Sequence, residues 1–84
     1  MQGKRVELVE QEGGFQCLAP GEYGKWKDGT WYAETPNGYT ANLARHKVTE
    51  HEDGTISVTP SILVSDDKAD LWHGYLTQGV WSEC

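Results

Sequence analysis

The chain has 84 residues with ten glycines, and its 13 acidic residues against seven basic ones give a formal net charge of −6. This length is enough for one modest core, so residues 1–84 are predicted to form a single domain. The acidity disfavours direct nucleic-acid binding because it repels phosphate, and no stretch reaches the roughly 20 apolar residues that cross a membrane.

The beginning of the chain has no apolar run of signal-peptide length after residues 1–5. A cytoplasmic protein is therefore expected. In that compartment the two cysteines, Cys17 and Cys84, are expected to be free or metal-bound rather than joined in a disulfide.

The first third of the chain contains short alternating segments separated by turn residues. Residues 4–9 alternate between the two faces of a predicted first strand, and residues 15–18 are predicted to form a second after a turn at 11–14. Asp28-Gly29 lies between aromatic and β-branched residues, which is a strong hairpin signal. Such a hairpin would bring Trp26 and Trp31 close together.

The middle of the chain has the only helical tendency in the sequence. A turn is predicted at Pro36-Asn37-Gly38. Residues 40–47 then combine Ala, Leu and Arg, which favour helix. One or two helical turns are predicted there, with an irregular crossing segment as the alternative.

The second half of the chain contains the clearest strand signals. Residues 48–64 are predicted to form a hairpin that turns at 52–54, and its return strand alternates cleanly. The residues assigned to one face of that strand are Ile56, Val58, Pro60, Ile62 and Val64. Pro60 lacks the N–H that a strand partner needs, so this strand should lie at an edge or contain a bulge.

The last 20 residues predict a charged loop at 65–70 and a final hairpin. Its strands span 71–76 and 80–84, on either side of a turn at 77–79. Many short strands joined by turns indicate a mainly β fold. We expect a small single-domain antiparallel sheet curled into a barrel or sandwich, with at most one short helix.

Histidine and cysteine side chains offer one set of metal ligands. Zinc favours four thiolates and imidazoles in a tetrahedron, and the candidate set is Cys17, His46, His73 and Cys84. No pair has the close Cys-x-x-Cys spacing that marks a zinc site. The favoured interpretation needs no cofactor: His73 packs beside Trp72, and the thiols are free.

Catalytic patterns are weaker still. Ser61 and His73 could pair, but the sequence around Ser61 does not resemble a nucleophile elbow. Paired carboxylates occur only in polar turns, where solvation keeps their pKa values ordinary. The chain is therefore predicted not to be an enzyme.

Aromatic and acidic residues offer a binding surface. Four tryptophans and four tyrosines are too many for complete burial in so small a domain, and Trp and Tyr are preferred interface anchors. The alternative is that most are core residues with exposed edges, and that the acidity serves solubility. The predicted binding residues are Trp72, Tyr75, Trp81, Asp66, Asp67 and Asp70.

A further indication comes from Pro60-Ser61-Ile62, His73-Gly74 and Cys84. These residues resemble the pattern of an uncharacterised family of short bacteriophage and prophage proteins, relatives of which sit beside bacterial ubiquitin-like conjugation genes. The family has a cysteine where Trp72 stands and a later histidine beyond the position of Cys84. The resemblance implies a phage or prophage origin, and hence the cytoplasm of a bacterial host.

Three functions are compatible with these patterns. The favoured hypothesis is a non-catalytic binding protein that uses an acidic, aromatic surface to occupy a host protein, for example a component of antiviral defence. The second is a zinc-stabilised accessory protein of a ubiquitin-like pathway, which the resemblance implies. The third is a protein that sequesters a small nucleotide signal by stacking it on Trp or Tyr.

Overall fold

The computed structural model describes residues 1–84 and consists of strands and turns without a helix. The strands follow one another in the order β1 Lys4–Arg5, β2 Glu10–Gln11, β3 Gly14–Phe15, β4 Glu22–Lys25, β5 Trp31–Glu34, β6 Thr40–Asn42, β7 Lys47–Glu50, β8 Ile56–Ser65, β9 Asp70–Thr77 and β10 Val80–Glu83.

These strands form two four-stranded sheets and one separate hairpin. The first sheet has the order β1-β4-β5-β6, the second has the order β10-β9-β8-β7, and β2 pairs only with β3. Every pairing is antiparallel except that of β1 with β4, which is parallel. The predicted mainly β, sandwich-like fold is confirmed. The barrel alternative does not apply, because the two sheets remain separate.

The core lies between the two four-stranded sheets. The side chains alternate between core and solvent along β5, β8 and β9, as the two-residue period of a strand requires. The residues buried together are Tyr23, Trp31, Ala33, Ala41, Leu43, Ile56, Val58, Ile62, Trp72, Leu76 and Trp81.

Two tryptophans form the centre of the second sheet's inner face. The rings of Trp72 on β9 and Trp81 on β10 meet edge to face, with 5.4 Å between centroids and 81° between planes. Gly74 lies beside them, and a Cβ there would collide with the Trp72 ring and the Ser82 carbonyl oxygen. This close approach requires glycine at position 74.

The start of the chain joins the two sheets along one edge. Gln2 bridges to Val80 on β10, and the Gly3 N–H donates to the Gly79 carbonyl oxygen at 2.7 Å. Immediately afterwards the Lys4 N–H donates to the Gly21 carbonyl oxygen at 3.1 Å, beside β4. One continuous segment therefore contributes hydrogen bonds to both layers of the sandwich.

The predicted turns and the irregularity at Pro60 are confirmed. Glycines with positive φ occupy the turns at 29, 38, 54 and 79. β8 lies between β7 and β9, so it is not an edge strand, and its register with β9 shifts between Val58 and Ile62. This bulge accommodates Pro60 in an internal strand. The side chain of Pro60 is exposed, whereas the sequence pattern had assigned it to the inward face.

The helical prediction for residues 40–47 is wrong. The segment forms β6 and the first residue of β7, with a turn between them. The Asn42 side-chain oxygen accepts a hydrogen bond from the Ala44 N–H at 2.8 Å, which fixes that turn. Leu43 is buried in the core, and Ala41 pairs with Ala33 on β5. Pairing and burial therefore override the helix propensity of the segment.

The β4–β5 hairpin brings Trp26 and Trp31 to neighbouring positions, as predicted, but their side chains do not pack together. Trp31 belongs to the core, whereas Trp26 packs on Phe15, with 5.1 Å between ring centroids. Phe15 also packs on Tyr32, the neighbour of Trp31, at 4.8 Å. Because successive strand residues face opposite sides, Trp26 lies on the outer face of the first sheet.

The predicted first and second strands are shorter than expected. Of residues 4–9, only Lys4–Arg5 is regular strand, and of residues 15–18 only Phe15 belongs to one. Residues 10–15 instead form the separate β2–β3 hairpin. Phe15 anchors that hairpin to the first sheet.

Candidate protein-binding surface

The three predicted aspartates lie in and beside the exposed turn between β8 and β9. We call residues 66–70 the acidic turn. The carboxylate of Asp66 accepts hydrogen bonds from the N–H groups of Lys68 at 2.8 Å and Ala69 at 2.9 Å. These two bonds hold the pKa of Asp66 below its usual value. Asp67 and Asp70 are exposed on either side of Lys68.

The solvent-facing side of the second sheet contains two large half-exposed side chains. Leu63 on β8 is 50% exposed, and Tyr75 on β9 is 49% exposed. Leu63 pairs with His73, and Tyr75 pairs with Ser82 on β10. We call these four residues the outer patch.

The outer patch and the acidic turn are neighbours. Ser65 pairs with Asp70, so the acidic turn begins three residues beyond Leu63 on β8. Three strand residues span about 10 Å. Leu63 therefore lies near the acidic turn, and Tyr75 lies farther along the same face, five residues beyond Asp70 on β9.

Trp72 and Trp81, predicted as binding residues, are core residues instead. They are only 4% and 3% exposed, and the Trp81 ring N–H donates to the Gly21 carbonyl oxygen at 3.0 Å. They alternate along their strands with the residues of the outer patch. Among the predicted aromatic anchors, only Tyr75 lies on the surface.

Leu63 is a surface residue that the sequence analysis missed. The signal was present, because Leu63 stands between Ile62 and Val64 and must face the side opposite to both. A single exposed apolar residue is ordinary, and Leu63 gains interest only as part of a group with the half-exposed Tyr75 on the same face.

The four predicted zinc ligands are not gathered in one place. Cys17 lines a depression on the first sheet with Glu34 and Thr40, whereas His73 and Cys84 lie on the second sheet. The Cys84 N–H donates to the His73 carbonyl oxygen at 2.9 Å. The two thiols are exposed and unpaired, and no three His, Cys, Asp or Glu side chains group as metal ligands.

Two histidines meet the bulge on β8 at Ser61. The Ser61 hydroxyl is 2.8 Å from His73 Nε2, and the Ser61 carbonyl oxygen is 3.2 Å from His46 Nε2. Nδ1 of His46 is buried without a hydrogen-bond partner. His73 is exposed on the open sheet face, so its pairing with Ser61 joins β8 to β9 outside any enclosed cleft.

Comparison with protein-family models, with curated proteins and with solved structures finds no match to this chain. The structure has no helix of the length and apolar character needed to span a membrane. The functional proposal below therefore rests on the surface described above.

Proposed function

We propose that this chain is a non-catalytic binding protein that docks on a basic surface of another protein through the outer patch and the acidic turn. The observation that supports this proposal is the pair Leu63 and Tyr75. They are half exposed on the outer face of the second sheet, which also carries the exposed Val80, and Leu63 lies near the three carboxylates of the acidic turn.

The two parts of this surface would act at different stages of binding. Tyr75 presents a large, rigid side chain that loses little conformational entropy when it is covered, as interface anchors do. Asp66 and Asp67 lie in the turn beyond the sheet and Asp70 at its end, where they would attract a basic partner before contact. The aspartates should therefore govern association, and the outer patch should govern dissociation.

The class of partner follows from the resemblance to phage and prophage proteins. A phage-derived binding protein acts on proteins of the bacterial host, and an inhibitor of a host antiviral defence component fits an acidic surface of this kind. Within this proposal the partner is a protein with a basic groove, and nucleic acid is not a direct ligand, because the net charge of −6 repels phosphate.

The test begins with affinity capture of the partner from a bacterial lysate and proceeds to binding kinetics at two ionic strengths. The double substitution Asp67→Lys with Asp70→Lys should slow association about tenfold at low salt. Asp66 is kept because it holds the turn. The matched control, Glu12→Lys with Glu52→Lys, changes the net charge equally at two exposed positions outside the acidic turn. It should slow association much less.

The outer patch has its own test. Tyr75→Ala should accelerate dissociation by about 10- to 30-fold and leave association nearly unchanged. If the control pair slows association as much as the aspartate pair, net charge rather than the acidic turn attracts the partner. If Tyr75→Ala leaves dissociation unchanged, the outer patch is not the interface.

A further inference from the structure

The β2–β3 hairpin is not hydrogen-bonded to either four-stranded sheet. β2 pairs only with β3, and at the base of the hairpin the Gln16 N–H donates to the Val9 carbonyl oxygen at 3.2 Å. No backbone hydrogen bond of residues 10–15 reaches another part of the chain. None of residues 9–16 is fully buried. We call residues 9–16 the arm.

One aromatic contact holds the arm on the first sheet. The Phe15 ring packs on Trp26 and Tyr32, with 5.1 and 4.8 Å between ring centroids. All three residues are half-buried. They lie on the outer face of the first sheet and take no part in the core between the two sheets. Release of Phe15 would therefore expose Trp26 and Tyr32 and leave that core closed.

The polar contacts between the arm and the rest of the chain are few and exposed. Glu10 forms an ion pair with Lys27, and the two side chains are 62% and 64% exposed. The Gln16 side-chain amide donates to the Glu7 carbonyl oxygen at 2.8 Å, and this bond is exposed as well. Exposed ion pairs and hydrogen bonds stabilise a structure only slightly, because water competes for the same groups.

The space on both sides of the arm is not filled. A depression of about 240 Å³ is lined by Phe15 and Gln16 of the arm and by Glu34 and Thr40 of the first sheet. On the side of β4, a cleft of about 480 Å³ adjoins Val9. Few buried apolar contacts and exposed hydrogen bonds are the features of a segment that opens locally, at a lower free energy than global unfolding.

The chain is fixed again on either side of the arm. Before it, the Val6 N–H donates to the Tyr23 carbonyl oxygen at 2.9 Å. Leu8 lies so close to Gly24 that a Cβ on this glycine would come within 2.9 Å of the leucine side chain. After the arm, Leu18 is only 7% exposed. These contacts confine any movement of the arm to hinges at its two ends.

We propose that the arm is a hinged cover that opens without unfolding the sandwich and thereby uncovers the rings of Trp26 and Tyr32. The structure holds the closed state, in which Phe15 covers these rings. Opening exchanges one ring contact, one exposed ion pair and one exposed hydrogen bond for contacts with water. The cover changes the outer face of the first sheet from a polar hairpin to a pair of aromatic rings. It lies on the other sheet from the outer patch, so it does not depend on the proposed function.

The test uses Phe15, which is the only phenylalanine in the chain. Biosynthetic incorporation of para-fluorophenylalanine gives one fluorine NMR signal, and the change of its chemical shift between H2O and D2O measures the exposure of the ring. Fluorotryptophan labels the tryptophans in a parallel sample, where Trp72 and Trp81 report on the core. On titration with urea, Phe15 and Trp26 should become exposed at lower concentrations than Trp72 and Trp81. Exposure of all these side chains at the same urea concentration would overturn the proposal.

A variant without the covering ring tests the same point in the absence of urea. In Phe15→Ala, the Trp26 signal should show the solvent shift of an exposed ring, because nothing covers it. The signals of Trp72 and Trp81 should keep the shift of buried rings. Exposure of Trp72 and Trp81 in this variant would show that the arm is required for the core, and it would overturn the proposal.

The ion pair at Glu10 gives a second test. Relaxation dispersion of the Phe15 fluorine signal measures the ratio of open to closed arm. Glu10→Gln should raise this ratio by up to about fivefold, because an exposed ion pair is lost. Glu12→Gln, the exposed control in the same hairpin, should leave the ratio unchanged. If no open form is detected in Glu10→Gln even at about 1 M salt, where charges are screened, the arm is not a hinged cover.

Discussion

Replacing Trp81 with phenylalanine separates a core role from a surface role for the aromatic residues of the last hairpin. Trp81 is 3% exposed, and its ring N–H donates to the Gly21 carbonyl oxygen. That oxygen also accepts a hydrogen bond from the Lys4 N–H, so its loss of one partner costs about 1 kcal/mol rather than the larger penalty of an orphaned group. The smaller ring adds about 1 kcal/mol through lost packing against Trp72. We therefore expect Trp81→Phe to lower the free energy of unfolding by about 2 kcal/mol.

The assay is urea denaturation followed by far-ultraviolet circular dichroism, with thermal denaturation as a second readout. A loss of about 2 kcal/mol corresponds to a fall in Tm of roughly 8–16 °C for a domain of this size. The matched control is Tyr75→Phe on the neighbouring strand, which changes a half-exposed side chain and should stay within about 0.5 kcal/mol. If Trp81→Phe costs no more than Tyr75→Phe, the assignment of inner and outer faces on β9 and β10 is wrong.

Three further predictions concern the turns and the cysteines. Gly54 has φ of 87°, so Gly54→Val should lower the free energy of unfolding by about 1–2 kcal/mol, and Gly54→Asn should lower it less. An unchanged Tm for the valine variant would show that this turn is wrongly assigned. The Thr55 hydroxyl and N–H donate hydrogen bonds to the Asp53 carboxylate and lower its pKa. The stability that these bonds give the folded protein is therefore complete above the ordinary carboxyl pKa of about 3.9. It is lost as pH falls toward the lower pKa of the folded state. Between those two pH values, the Tm of Asp53→Asn should fall less steeply than that of the unmodified protein. Equal dependence of Tm on pH in the two proteins would show that the Asp53 carboxylate does not contribute to stability. Treatment with a strong chelator should leave Tm unchanged, because Cys17 lies in the loop after β3, beside Glu34 and Thr40 of the first sheet, whereas His73 is on β9 and Cys84 follows β10; bound zinc with chelator-induced unfolding would contradict this.

The parts of the fold that could be predicted from the sequence are those that depend on local chemistry. Asp53-Gly54 specifies its hairpin because glycine adopts the positive φ of the turn at little cost. Pro60 predicts a bulge because it has no N–H to donate to a neighbouring strand. The conformation of residues 40–47 depends instead on the pairing of β6 with β5, which local propensity does not predict. The strand at Lys4–Arg5 was predicted, but its parallel pairing with β4 was not, because β4 lies about 18 residues further along the chain.

The candidate surface was predictable only in part, and for a related reason. The acidic turn follows directly from composition, since polar residues between two strands stay exposed. On β9, however, both alternating sets contain large side chains, with Trp72 and Leu76 in one and Tyr75 in the other. Only the position of the opposite sheet decides which set is buried. The hydrogen bonds of the Gln16 side chain with the backbone of Glu7 and Val9 are also absent from the sequence pattern, because they depend on where the β2–β3 hairpin folds back.

The segment that joins the two sheets also governs when the protein can finish folding. Gln2 pairs with Val80, and the Trp81 N–H donates to the Met1 carbonyl oxygen at 2.8 Å, so residues 1–2 must wait for residues 80–81, which leave the ribosome later. Contacts between such distant positions are slow to form, since a long loop must close first. Until β10 leaves the ribosome, Trp81 cannot complete the core between the two sheets, and the apolar inner faces stay exposed. The nascent chain is then most prone to aggregation and to binding by chaperones.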